Sequence, residues 1–253
     1  MITRLEPADR QLSSPLGQVS PLAKLGVAVA WFVGLAFTTD LRPPLVLVAI
    51  ALLAALTFGR VEGSMLARGL APLWAVALAI GLFNALFAAA NLDPGAPDLL
   101  RLGPWRLTAP AVTGGIGIAG RVIAFATIGL VFAQTTDPTR LVDALVQQAR
   151  MSPRFAYGAL AAYQAVPRFA EDLTTLRQSR RIRGLPGSWH PRLLVGLLVL
   201  AIRHADRLAL AIDARGLGMG PRTTYREVRW GPLDGVLVVG GVVALALALV
   251  IGR

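Results

Sequence analysis

Cysteine is absent from the chain, and lysine occurs once, as Lys24. The first absence excludes disulfides and thiolate metal sites. The second bears on nucleotides, because a phosphate-cradling P-loop needs Gly-Lys-Ser/Thr behind a glycine-rich turn. Lys24 stands in Leu22-Ala23-Lys24-Leu25, which is no such loop, so ATP hydrolysis by that route is not expected. Charge is scarce as well: 15% of the 253 residues are charged, against about 25% in a soluble domain. The two histidines, His190 and His204, have no cluster of ligands near them. Neither a metal site nor a cofactor is expected.

What the chain does have is apolar sequence in long unbroken runs, with 55% of residues hydrophobic. Continuous runs, unlike alternating ones, indicate transmembrane helices and not a barrel. The expected fold is an all-α integral membrane protein with about five spans. These are Leu25 to Thr39, Leu45 to Phe58, Leu70 to Ala90, Ala111 to Ala133 and Leu233 to Ile251. The first two are short for a helix that needs about 20 residues to cross, so their ends are expected to extend, with Lys24 snorkelling to the headgroups. Residues 1–20 read as a polar arm without a cleaved signal peptide, and 91–110 as a Pro/Gly-rich loop. Gly114, Gly115, Gly117 and Gly120 give the fourth span a close-packing face. Arg121 is the only charge within that span and is expected to be structural, bonded to carbonyls, Asn84 or water.

Charge asymmetry sets the orientation. Residues 134–230 hold fifteen Arg against seven acids, which makes this segment cytoplasmic by the positive-inside rule. The N-terminus then lies inside and the C-terminus outside. The domain reading is an N-terminal arm (1–20), four spans (21–133), a cytoplasmic module (134–230) and a last span (231–253). The net charge of +11 belongs to these loops. It does not read as a nucleic-acid surface, because the aromatic interleaving of single-strand binders is missing.

The cytoplasmic module reads as one short helix and two long crossing ones. Asp137-Pro138 and Ser152-Pro153 are helix-start signals. Phe155, Ala159, Ala162, Val166, Phe169, Leu173 and Leu176 then form an apolar seam at 4,3 spacing, with a kink expected near Gln164 because Pro167 lies inside the pattern. A second seam follows the Pro186-Gly187 break: Leu194, Leu198, Ala201, Ala205, Leu208 and Ile212. Each seam hands over to an arginine, in Ile182-Arg183-Gly184-Leu185 and in Ala214-Arg215-Gly216-Leu217. Gly followed by Leu suits a Schellman helix ending. Capping alone does not require the repeated arginine.

With these paired tips the chain resembles the transmembrane T component of energy-coupling factor transporters, a family that carries two Ala-Arg-Gly-type signatures at the ends of cytoplasmic coupling helices. Here Ile182 replaces the usual small residue of the first. Ser20 to Leu25, Thr135 to Leu141 and Ala205 to Ala211 are similar to further family segments, so the likeness covers most of residues 20–220. The resemblance implies that Ile182, Arg183 and Gly184, with Ala214, Arg215 and Gly216, dock on two cytosolic ABC-type ATPases. It also implies that the seam helices contact a small hydrophobic substrate-binding membrane subunit, for vitamin or metal-ion uptake across a prokaryotic plasma membrane. The chain itself is then no enzyme, and its other partner is membrane lipid. An ordinary ABC permease would present one coupling helix, and a lipid-modifying enzyme would cluster acids or histidines at one membrane face. Neither pattern is present.

Overall fold

Proline sets where most helices begin, since its missing N–H falls among donors that have no intrahelical partner at a first turn. In the computed structural model, residues 14–102, 105–185, 189–216 and 226–252 are described. Pro186, Gly187, Leu217 and the first thirteen residues of the arm lie outside them. The helices are α1 (Pro15–Gln18), α2 (Pro21–Ala36), α3 (Arg42–Thr57), α4 (Gly63–Leu86), α5 (Ala109–Thr135), α6 (Pro138–Gln147), α7 (Pro153–Ile182), α8 (Arg192–Ala214) and α9 (Pro232–Ile251). Chain contacts divide them into two compact units. One runs to Leu141 and resumes at Arg229; the other is Val142–Val228.

In the first unit α4 with the 3-10 turn after it, α5 and α9 are long and apolar enough to cross a membrane. Helices α2 and α3 are apolar but have 16 residues each, about 24 Å at 1.5 Å per residue. Their extension beyond the apolar runs occurs at the N-terminal ends only. The five helices alternate in direction. The starts of α2 and α9 meet where Ser20 N donates to Asp234 Oδ1 at 2.6 Å, and the end of α3 joins them through Leu16 N donating to Phe58 O at 3.2 Å. At the other end, Gly252 abuts Pro43 and Gly117 abuts the Thr39 carbonyl. Trp31 and Leu35 of α2, Leu47 and Ala51 of α3, Ala124 and Ile128 of α5 and Ala244 and Ala248 of α9 fill the space between.

Lys24 departs from expectation. It is buried, and its Nζ donates to Thr135 O at 2.6 Å, so the ammonium meets the carbonyl end of α5 and not the headgroups. A cation there is favoured by the helix dipole. The expected loop at 91–110 contains a two-stranded antiparallel hairpin, Asp98–Leu102 with Trp105–Thr108. Arg106 ties it down: the guanidinium pairs with Asp98 and donates to Asp93 O at 2.6 Å and Ala96 O at 2.9 Å.

Gly115 and Gly81 let α4 and α5 touch backbone to side chain; a Cβ on Gly115 would lie 2.6 Å from Gly81 O. Gly114, read as part of the same face, has open space beside it. Arg121 is half-buried, and its buried Nε has no hydrogen-bond partner among the described residues. Asn84 does not reach it; its Nδ2 donates to Ile80 O of its own helix at 2.9 Å.

Candidate functional site

The second unit is built from the rest of α6 with α7, α8 and the chain at 226–228. Asp137 begins α6 as read: its Oδ1 accepts from Thr139 N at 2.8 Å. Helix α7 begins at Pro153, although the Ser152 hydroxyl makes no capping bond, and it runs on through Pro167 to Ile182 without a break. Tyr157 of α7 donates to Asp143 Oδ1 of α6 at 2.8 Å, joining these two helices.

Helices α7 and α8 are antiparallel. Leu176 packs over Gly196, and the Phe169 ring meets His204 edge to face at 6.3 Å. The two seams therefore split. Phe169, Leu173 and Leu176 of the first, and Ala201, Leu208 and Ile212 of the second, are half-buried. Phe155, Ala159, Ala162, Val166, Leu194, Leu198 and Ala205 stand open, with Phe155 71% exposed. Leu193 is buried, whereas Val195, Val199 and Ile202 extend the open apolar face along α8. Helix α8 is amphipathic and is not among the helices apolar enough to cross.

Both tips are left-handed glycine caps. At the first, Gly184 has φ +69°, Gly184 N donates to Arg181 O at 3.0 Å and Leu185 N to Arg180 O at 3.2 Å. That is the paired 5→2 and 6→1 bonding of a Schellman motif. At the second, Gly216 has φ +65° and its N donates to Asp213 O at 2.8 Å. The glycines thus satisfy backbone carbonyls and turn the chain, leaving Arg183 and Arg215 exposed as the last residues before the turn. Ile182 is 87% exposed and Ala214 is exposed beside its arginine. Arg177, Arg180 and Arg181 add positive charge to the first tip. Near the second, Arg207 Nε bonds back to Arg203 O at 3.2 Å and forms no ion pair with the exposed Asp213. Because α7 and α8 are antiparallel, the two tips lie at opposite ends of α8, whose 23 residues measure about 35 Å.

The cobalt transport protein (CbiQ) family model matches residues 13–225. The chain belongs to that family. Among its curated relatives is the energy-coupling factor transporter transmembrane protein EcfT of Limosilactobacillus fermentum, 27% identical with 94% of each chain covered. The EcfT of Lactococcus lactis subsp. cremoris is 24% identical, covering 98% of this chain and 96% of the relative. The Bacillus subtilis EcfT is 25% identical over 93% of each. The CbiQ-family chain is therefore a multi-pass membrane component of the energy-coupling factor transporter type, and the resemblance carried by its Arg-Gly pair is to the right family.

Several contacts within this CbiQ-family chain were not anticipated from sequence. Asp234 is buried; besides Ser20 N it accepts from Gly231 N at 2.7 Å. An acid at the third position of a Pro-started helix is a capping pattern and could have been read from Gly231-Pro232-Leu233-Asp234. The amide contacts of Gln147 and Gln148 with residues 226–228 carry no comparable signal.

Proposed function

We propose that this chain couples two cytosolic ABC-type ATPases to a separate substrate-binding membrane subunit that imports a vitamin or metal ion. The observation that carries the reading is the placement of two exposed arginines on matching glycine caps, one ending α7 and the other ending the antiparallel α8. A single chain so built offers one contact to each of two ATPases. Arginine suits the role because its planar fork stays charged and pairs bidentately with carboxylates. Movement of the ATPases toward each other would act on both tips, and α7 and α8 would carry that movement as stiff levers. The open half of the seams, from Phe155 to Val166 and from Leu194 to Ile202, suits the substrate-binding partner. The excess of arginine over acids in residues 134–230 supports a cytoplasmic position for both tips.

The test separates the arginine from its cap. Arg183→Ala with Arg215→Ala removes both contacts and leaves the glycines in place. Truncating a buried interfacial arginine costs about 2 kcal/mol or more, so the double variant should lose the ATPases on co-purification while it still inserts. Gly184→Asn, which tolerates a left-handed cap, should keep them. Retention of both ATPases and of transport by the double arginine variant would defeat the reading.

A further inference from the structure

Arg121 stands one residue short of the midpoint of α5, which runs Ala109–Thr135. At 1.5 Å per residue, about 18 and 21 Å of helix separate it from the two ends. The side chain is half-buried, and among the described residues it makes neither a hydrogen bond nor an ion pair. Its helical neighbours fix the side on which it stands. Gly117, one turn earlier, lies against the Thr39 carbonyl, and the Phe125 ring, one turn later, meets Phe32 of α2 edge to face at 5.1 Å. Another side of α5 is taken by α4, through Gly115 and Ala119. Between these contacts the surface of α5 is open: a Cβ on Gly114 or on Gly129 would meet nothing within 4 Å. Gly114, Ile118, Arg121, Phe125 and Gly129 follow at 4,3,4,4 spacing and so share that side. Next to it on α2, Val29 and Ala36 flank Phe32 and are exposed.

We propose that this face receives a transmembrane helix of another membrane protein, and that the helix carries an Asp or Glu in mid-span whose carboxylate accepts from Arg121. Ionisable groups at such depth ordinarily face a bundle interior and are paired; Arg121 is at the edge of its bundle and unpaired. The acceptor has few possible sources. Acyl tails offer none, and headgroups lie about 15 Å away, half the hydrocarbon thickness, a distance an arginine side chain does not span. Neighbouring helices keep their carbonyls in their own ladders. A second copy of this chain supplies no mid-span acid. Its first four spans contain none, and the last has only Asp234, at its start and engaged by Ser20 and Gly231. A carboxylate on a different protein neutralises the charge and takes the planar fork bidentately. Gly114 and Gly129 let the visiting backbone approach closely, as small residues do between membrane helices. The inference rests on α2 and α5 and is independent of the coupling reading.

In the detergent-purified full chain, Arg121→Leu should leave the apparent melting temperature unchanged or raise it, because the guanidinium holds nothing within this chain. A clear fall would make Arg121 a packing anchor of its own bundle and overturn the proposal. In native membranes, a photoreactive phenylalanine analogue placed at Gly129 reports what lies on the face, with the adduct mapped by peptide mass spectrometry. The expected adduct is to a membrane-spanning segment of a second protein with Asp or Glu near its middle. Adducts to lipid alone, to another copy of this chain, or to a segment without an acid overturn the proposal. Charge exchange then tests the pair. Arg121→Glu should lower the adduct yield severalfold, Arg121→Lys should retain most of it, and Arg121→Glu combined with replacement of the mapped acid by arginine should restore it. A yield indifferent to Arg121→Glu, or not restored by the exchange, also overturns the proposal. ATPase capture through Arg183 and Arg215 is read in a separate assay, so either reading can fail while the other stands.

Discussion

At Tyr157 one hydroxyl holds α6 to α7, through the hydrogen bond it donates to buried Asp143. Its pKa is raised above the ordinary 10.0, first by burial, then by that hydrogen bond, then by the negative charge of Asp143. All three disfavour the phenolate. A raised native pKa stabilises the fold fully below the unfolded value, and the contribution is lost as pH climbs through the native one. Thermal unfolding in detergent at a series of pH values above about 10 should therefore show the unmutated chain losing stability more steeply than Tyr157→Phe. Parallel curves would show that the phenol does not titrate with folding. Neither this contact nor the Lys24 bond to Thr135 was legible in the sequence. A lysine at the end of an apolar run ordinarily snorkels, and nothing local shows that a carbonyl 111 residues away will lie within its reach. Residue roles written into the local chain were legible: Asp137 as a cap, Gly184 and Gly216 as left-handed turns.

Between elements, small residues decide the packing, because lipid gives helices no hydrophobic reason to associate and close contact must supply it. Gly115 and Gly81 allow α4 and α5 to touch, and a Cβ on Gly115 would also stand 2.8 Å from the Ala85 Cβ. Gly115→Val should therefore force the pair apart, with a cost of the order of 1–3 kcal/mol for overpacking. Gly114→Val, facing open space, should leave the helix pair intact. Apparent melting temperatures of the two purified variants check this, and equal losses would mean that the four glycines act through helix propensity alone. The sequence showed the glycine cluster but not which members face a neighbour. The seams teach the same lesson. Phe155 and Ala156 are adjacent, as are Ala165 and Val166, so an apolar residue stands beside the seam at each of these places. The structure buries Ala156 and Ala165 and leaves Phe155 and Val166 open. Periodicity found the helices, while the choice of face depends on how neighbouring elements pack, which lies beyond local sequence.

For the whole molecule, sidedness follows from joining charge to geometry. Contacts place the starts of α2 and α9 and the ends of α3 and α5 at one end of the first unit. The turn after α2, the start of α5 and the end of α9 lie at the opposite end. Charge names the ends: the arginine-rich stretch leaves from the end of α5 and returns at the start of α9, so that end should face the cytoplasm. Thr113, which lines an open depression with Thr39, Asp40 and Arg42 at the other end, should then face outward. Because the chain lacks cysteine, each side can be read with one substitution and no background. In intact cells a membrane-impermeant maleimide should label Thr113→Cys. It should label exposed Gln178→Cys only after the membrane is opened. Labelling of Gln178→Cys in intact cells would invert the topology and put both arginine tips outside, where no ATPase could meet them. This simple measurement therefore bears on the coupling reading as directly as any change to Arg183 or Arg215.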